Sequence, residues 1–201
     1  MSTAKPIFHL LAEPNGAGKS TLYRALVSNG DIDKTLEFVN ADLYEQSHLQ
    51  HIVDLQKRSQ AARDWADDRR EALLNAKTSF VSETVFSHDS KLALITRARV
   101  TGFDVVLHVV SVDEPQRLLA RVLQRVREGG HNVPAQRILA RYPRTMANLK
   151  IAVRLVDMAF FYDSPAVEQG AHLLVAMCEK EQTNLLVNRP PAWVDLMLQE
   201  Q

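Results

Sequence analysis

The pattern of apolar and polar positions divides the first half of the chain into short apolar runs separated by longer polar segments. The apolar runs have the length of buried strands and cover residues 6–12, 36–39, 78–85 and 103–112. Apolar residues recur at helical spacing between them, over residues 19–27, 48–77 and 88–101. We predict one long helix over 48–77, with at most one break. The run 103–112 is the richest in β-branched residues, which predicts a central strand.

The second half of the chain continues the same alternation. Helices are predicted over 114–127 and from Pro134 onward, with a glycine-containing loop at 128–132 between them. Further strands are predicted at 158–162, 172–177 and 185–187, and a closing helix from Pro190. Strands that alternate with helices predict a mainly parallel sheet with helices on both faces. The length of 201 residues suits a single α/β domain over 1–201.

Composition and charge exclude several classes of function. Apolar residues make up 46% of the chain and charged residues 24%, which are ordinary values for a protein with a packed core. Lysine plus arginine and aspartate plus glutamate both number 24, so the net charge does not support binding to nucleic acid or membrane. Cys178 is the only cysteine, the N-terminus lacks the apolar core of a signal peptide, and no apolar run is long enough to span a bilayer. We therefore expect a cytoplasmic protein.

A phosphate-binding loop is predicted between the first strand and the first helix. Its pattern is a glycine, four residues and then Gly-Lys-Ser/Thr, and the second half is present as Gly18-Lys19-Ser20. Glycines let successive N–H groups turn toward anionic oxygens, and the following helix adds the positive end of its dipole. Lys19 is expected to reach the β- and γ-phosphates, and the Ser20 hydroxyl to hold Mg²⁺. The residues predicted to bind ATP are Pro14, Asn15, Gly16, Ala17, Gly18, Lys19, Ser20 and Thr21.

Glu13 departs from this pattern, because it stands where the first glycine is expected. That position serves the turn more than the phosphate nest, so we expect the Glu13 side chain to point outward from the loop. The sequence also lacks the Asn-Lys-x-Asp motif that reads guanine, which favours ATP over GTP.

Four segments make the chain similar to a known family. They lie at 12–21, 39–42, 83–88 and 125–134, and the last contains the distinctive stretch Gly-Gly-His-x-Val-Pro. Over residues 10–164 the sequence resembles the zeta-toxin-like P-loop kinases, in particular their short, stand-alone members. The family's toxins phosphorylate a sugar hydroxyl of UDP-N-acetylglucosamine. The resemblance therefore implies a kinase that uses ATP and Mg²⁺ on an alcohol acceptor, with an antitoxin protein as partner. Because this chain is shorter than those toxins, the kinase chemistry carries over better than the substrate.

Asp42 is the predicted catalytic base. It follows the second strand, at the end of the sheet where open α/β proteins bind their ligands. A phosphoryl acceptor needs a carboxylate that orients its hydroxyl and takes its proton, and the resemblance gives Asp42 this role. The alternative is that Asp42 caps the helix that follows.

Glu83 and Thr84 close the third predicted strand. The resemblance implies that they bind the acceptor. Glu83 has two alternatives: it holds a water molecule on Mg²⁺, or it caps the next helix.

A basic block lies between Arg117 and Arg154. This stretch contains eight arginines and one lysine but a single acid, Glu128. A helix, a Gly-Gly hinge and a second helix with arginines on both arms form the layout of a kinase lid, which we predict around residues 117–150. The alternative is a solvated, basic surface.

Two arginines of this block are predicted to be catalytic. A planar guanidinium stabilises the charge that spreads over the transferred phosphoryl group, and we assign this role to Arg125 and Arg141. Arg121 and His131 are predicted to bind substrate, with a loop-structuring role as the alternative for His131. Most of the other basic residues are expected to face water.

The sequence predicts an enzyme that transfers the γ-phosphoryl group of ATP to a hydroxyl of a small molecule. A nucleotide sugar such as UDP-N-acetylglucosamine is the acceptor that the resemblance implies. One alternative is a switch that binds and hydrolyses ATP and acts through a protein partner. A polynucleotide 5′-hydroxyl kinase is disfavoured by the zero net charge and by the scarcity of aromatic residues in the basic block.

Overall fold

A seven-stranded sheet forms the centre of the protein in the computed structural model, which describes residues 4–14, 17–127, 135–164, 172–180 and 182–199. The strands are β1 Ile7–Glu13, β2 Glu37–Val39, β3 Phe80–Val85, β4 Asp104–Ser111, β5 Met158–Asp163, β6 Leu173–Glu179 and β7 Gln182–Leu185. Their order in the sheet is β2-β3-β1-β4-β5-β6-β7. The first five strands pair in parallel, and β6 and β7 add antiparallel pairs at one edge. The prediction of a mainly parallel sheet, with 103–112 at its centre, is confirmed.

The helices follow the predicted alternation with one error. They are α1 Lys19–Asn29, α2 Ala41–His48, α3 Leu55–Asn75, α4 Ser90–Val100, α5 Pro115–Arg127, α6 Ala135–Leu155 and α7 Ala192–Leu198. The single helix predicted over 48–77 is wrong at its start. The Asn40 side chain accepts a hydrogen bond from the Leu43 N–H and begins α2, and Asp54 accepts from two N–H groups and begins α3. Two separate caps therefore start two helices, α2 and α3, and the residues between His48 and Leu55 belong to neither.

Helices cover both faces of the sheet. Successive side chains of β1 show this, because they enter two different cores. Phe8 and Leu10 enter a core that contains residues of α3, α4, α6 and α7. Leu11 enters a second core with residues of α1 and α5. Because side chains alternate along a strand, His9 and Glu13 share the face of Leu11 and point toward α1 rather than toward solvent. Among the described residues, no helix is long and apolar enough to cross a membrane.

Two histidines pair inside the second core. The Nδ1 atom of His9 lies 3.2 Å from Nε2 of His108, and the two rings stack. Burial lowers the pKa of His9 to about 4. Burial and the neighbouring His9 lower the pKa of His108 to about 3. Both rings are therefore neutral at pH 7, and one nitrogen donates to the other.

This pair predicts that the fold loses stability in mild acid. Unfolded histidines titrate near pH 6.5, so between pH 6.5 and about 4 the unfolded state binds more protons than the folded state. The free energy of unfolding should fall as the pH is lowered through this window, by up to about 1.4 kcal/mol per pH unit for each histidine. Urea unfolding at several pH values between 7 and 5 measures this slope. His108→Leu removes one titrating ring and should make the slope shallower; an unchanged slope would contradict the assignment.

Candidate active site

A cavity of about 450 Å³ opens at the carboxyl ends of β1, β2 and β3. Because these strands are parallel, their carboxyl ends lie along one edge of the sheet. Five residues that the sequence predicted as site residues line this cavity together: Lys19, Asp42, Glu83, Thr84 and Arg141. They come from α1, α2, β3 and α6, so the fold gathers groups that are far apart in the chain.

The phosphate loop joins β1 to α1 as predicted. Gly18 has φ +110°, and a Cβ atom there would lie 2.8 Å from the Cε1 atom of His172. Only glycine fits this conformation and this space. The Ala17 N–H donates to the Pro14 carbonyl at 3.3 Å, which closes the turn. Asn15 and Gly16, also predicted to bind ATP, lie outside the described residues.

Glu13 does not point outward, so that expectation is wrong. Its side chain is buried, with 4% of the residue exposed. The Nζ atom of Lys19 donates to Oε1 of Glu13 at 2.5 Å, and the backbone N–H of Lys19 donates to Oε2 at 3.0 Å. Strand alternation is the physical reason, because β1 lies in a sheet covered on both faces and has no solvent-facing side.

Lys19 lies between two carboxylates. Besides its contact with Glu13, its Nζ atom is 3.7 Å from Oε1 of Glu83. Burial by itself would lower the pKa of Lys19, but Glu13 and Glu83 outweigh burial and raise it. Burial raises the pKa of Glu83, with Lys19 acting in the opposite direction and with Glu13 and Asp42 adding to the rise. The lysine of the loop is therefore a firmly charged ammonium group in a largely buried, acidic setting.

Glu83 is part of this network and is not a helix cap. Its Oε2 atom accepts from Ser20 Oγ at 3.2 Å and from Asn40 Nδ2 at 3.0 Å. Glu83 lies within β3, and α4 begins only after Asp89, so the capping alternative is excluded. Thr84 lines the cavity beside it.

Asp42 is likewise not a cap. The cap of α2 is Asn40, and Asp42 lies exposed in the first turn, where it lines the cavity. A carboxylate at this place is accessible to an acceptor molecule. Asn40 therefore has two tasks that the sequence reading missed, since it caps α2 and donates to Glu83.

The predicted arginines divide between two places. Arg141 reaches the cavity from α6, and its pKa is lowered by burial and by neighbouring arginines. Arg121 instead contacts the loop: its Nη1 atom donates to Ser164 Oγ at 2.6 Å and to the Ala17 carbonyl at 3.4 Å. The side chain of Arg125 and the whole of His131 lie outside the described part of the chain.

Three further cations line the cavity: Arg63, Arg70 and Lys91. The sequence pattern did not single them out. Arg70 is 5% exposed, donates to Ser82 Oγ at 3.1 Å and pairs with Asp67. Lys91 lies 3.3 Å from the same carboxylate. Arg63, Asp67 and Arg70 are spaced four and three residues apart, so they share one face of α3, and this spacing was the available signal.

His172 was also missed. Its Nε2–H donates to the Gly18 carbonyl oxygen at 3.1 Å, so the segment before β6 holds the back of the phosphate loop. These two residues are 154 positions apart in the chain. No local pattern marks such a contact.

A comparison with protein families gives one match, and this match shows the family of the chain. The model of the zeta toxin family matches residues 1–160. The chain belongs to the zeta toxin family. It is a P-loop kinase, an ATP-dependent phosphotransferase, and the resemblance stated from the sequence is confirmed.

Solved structures share the fold of this zeta toxin family member at low sequence identity. A chain of the PezAT chromosomal toxin-antitoxin system of Streptococcus pneumoniae has a TM-score of 0.66 and 15% identity, over 98% of this chain and 78% of that one. A putative kinase from Chloroflexus aurantiacus has a TM-score of 0.55 and 16% identity, over 71% and 78% of the two chains. A chain of the Pnkp1/Rnl/Hen1 RNA repair complex has a TM-score of 0.58 and 17% identity, over 73% and 46%. A search of curated proteins gave no significant match.

Proposed function

We propose that this protein transfers the γ-phosphoryl group of ATP to a hydroxyl of a small anionic metabolite, a nucleotide sugar such as UDP-N-acetylglucosamine. The observation that carries the proposal is the shared cavity: the loop lysine, Lys19, and an exposed carboxylate, Asp42, line one space of about 450 Å³. That volume lies within the ordinary range for small-molecule sites. Family membership supports the same chemistry.

Asp42 acts in this proposal as the general base. It orients the acceptor hydroxyl and takes its proton as the phosphoryl group is transferred. Its exposure on the first turn of α2 leaves the carboxylate accessible from the cavity. Glu83 and Thr84 contact the acceptor from the end of β3.

The phosphate loop residues 14–21 hold the triphosphate, with Lys19 on the β- and γ-phosphates. Oxygen ligands suit Mg²⁺, and the hydroxyl of Ser20, which lies 3.2 Å from the Glu83 carboxylate, is such a ligand. When bound, Mg²⁺ neutralises charge on the phosphates. Arg141, and with it Arg125, stabilises the charge of the transferred group.

The part of the cavity that α3, α4 and α6 line contains four cations, which favours an acceptor that carries phosphate. Arg63, Arg70, Lys91 and Arg141 line it, and the acids of the same lining offset part of their charge: Asp42, Glu45, Asp67 and Glu83. A diphosphate group would find both guanidinium and ammonium donors here. Arg121 and His131 are further proposed contacts, and Arg121 would exchange its bonds to Ser164 for bonds to substrate.

The proposal also covers the location, the domain organisation and the partner of the protein. We place it in the cytoplasm, as one domain with a lid around 117–150, and with an antitoxin protein as its partner. The partner is suggested by the toxin-antitoxin system whose structure resembles this one.

The test is acceptor-dependent turnover. We expect ADP release from Mg·ATP to rise strongly when UDP-N-acetylglucosamine is added, with one phosphorylated product identified by mass spectrometry. A kinase needs the acceptor hydroxyl in place before the γ-phosphoryl group can move, whereas a switch hydrolyses ATP without any acceptor. Equal ADP release with and without the sugar nucleotide, and no phosphorylated product from a metabolite extract, would contradict the proposal and favour the switch.

A further inference from the structure

The phosphate loop of this protein already contains an anion. The Glu13 carboxylate accepts from the backbone N–H of Lys19 at 3.0 Å and from its ammonium group at 2.5 Å. These two donors are ones that a phosphate loop offers to the β- and γ-phosphates of a nucleotide. A carboxylate and a phosphate carry the same kind of oxygen acceptor, so they compete for these donors.

The position of Glu13 explains how its side chain reaches the loop. It stands where the loop pattern has its first glycine, at the last residue of β1. A glycine there places no side chain beneath the loop. In this chain the side chain extends on the α1 face of the sheet and is buried beside Lys19, which is itself 6% exposed. The contact is therefore built into the folded core and is not a loose surface pair.

The charge around Lys19 also opposes an incoming phosphate. Glu13 and Glu83 both lie beside its ammonium group, and together with Asp42 they raise the pKa of Lys19 against the effect of burial. The Lys19 ammonium group is thus shared among several carboxylates, and Arg121 also interacts electrostatically with Glu13. A triphosphate that approaches this lysine meets like charge until one carboxylate has moved away.

We infer that Glu13 sets the nucleotide affinity of this site, because its carboxylate holds Lys19 in the free protein and has to be displaced before the β-phosphate binds. The inference rests on the proposed use of this loop for ATP. Part of the binding free energy of the nucleotide is spent on breaking the contact between Glu13 and Lys19. Removal of the carboxylate should therefore tighten nucleotide binding while it weakens the nucleotide-free fold.

The opposite signs of these two effects separate this role from a structural one. An ion pair that only stabilises the loop would lower both stability and affinity when it is broken, since the loop would lose its shape. A resident competitor lowers the stability of the free protein but raises its affinity for the ligand. The two quantities can be measured on the same variants.

The experiment is calorimetric titration of the full chain with Mg·ADP and with a Mg-bound, non-hydrolysable ATP analogue. We expect Glu13→Gly to bind both nucleotides roughly 10- to 100-fold more tightly than the wild type. A gain of this size is expected when the two hydrogen-bond donors of Lys19 no longer have a competing charged acceptor. Glu13→Gln should show a smaller gain, because its amide oxygen still accepts from Lys19 but carries no charge. Without nucleotide, both variants should unfold at a lower temperature than the wild type.

Glu71→Gln is the matched control. It removes the same charge from an exposed position of α3, where Glu71 pairs with Arg97 at 3.4 Å, and should leave the nucleotide Kd unchanged. An unchanged or weaker Kd in both Glu13 variants would overturn the inference, and so would the absence of binding in every variant. Tighter binding without phosphorylation of any acceptor would instead uphold the role of Glu13 and contradict the proposed function.

Discussion

Replacement of Lys19 by methionine should abolish the stabilisation of the protein by Mg·ATP. In the wild type, ligand at about 100 times its Kd adds about 2.7 kcal/mol to the free energy of unfolding. Lys19 supplies the loop's own cation for the β- and γ-phosphates, and its side chain lines the cavity. Thermal unfolding with and without Mg·ATP measures the effect. A full thermal shift in Lys19→Met would contradict the assignment of the loop itself.

The surroundings of Lys19 require a second variant in this experiment. Lys19→Met removes the ammonium group beside Glu13, which is 4% exposed, and breaking a buried pair in this way costs about 3–5 kcal/mol. The variant will therefore be less stable before any ligand is added. Glu13→Gln in the Lys19→Met background removes the negative charge of this buried side chain and should restore much of this stability. Mg·ATP should still fail to stabilise the double variant, which separates lost binding from lost folding.

Replacement of Asp42 by asparagine should remove phosphoryl transfer and leave ATP binding intact. The amide keeps the shape of the side chain but does not accept the proton of the acceptor hydroxyl, so we expect kcat to fall by about 10²–10⁴. Stability should not change, because Asp42 is exposed and the cap of α2 is Asn40. Steady-state kinetics with the acceptor, together with calorimetric titration of the nucleotide, measure the two quantities separately.

Asp68→Asn serves as the matched control for this variant. Asp68 is an exposed acid on α3, and it is not among the residues that line the cavity. Its replacement makes the same change of charge near the same site, so kcat should stay at the wild-type value. Full activity in Asp42→Asn would mean that the proton is taken by another group, such as Glu83, which also lines the cavity.

Local sequence patterns were enough to predict most of the fold. A phosphate loop is built from consecutive residues, so Gly18-Lys19-Ser20 between an apolar run and a helix could be recognised without tertiary information. The alternation of strands and helices likewise implied the parallel order of β1 to β5. The antiparallel direction of β6 and β7 was not predicted, although only nine residues separate β5 from β6 and two separate β6 from β7, which is too short for a parallel crossover.

The predicted helix over 48–77 shows where local reasoning failed. Charged residues at helical spacing continue through this region, but α2 ends at His48 and α3 begins only after Asp54, whose side chain accepts from two backbone N–H groups ahead of it. Aspartate favours the start of a helix. The sequence therefore contains the signal for a helix start at Asp54, but the periodicity of the longer segment hides it.

The sequence by itself determined which residues form the loop, which strands and helices surround it, and which acids follow the strands. Only the tertiary structure decided the direction of Glu13 and the partners of the cations. Glu13 turns inward because helices cover both faces of β1, and a strand in such a sheet exposes neither side. Arg70, Arg121 and His172 reach the site through contacts that join distant parts of the chain. Such contacts depend on which strands become neighbours in the sheet, and that choice is made by the packing of the whole chain rather than by any short stretch of it.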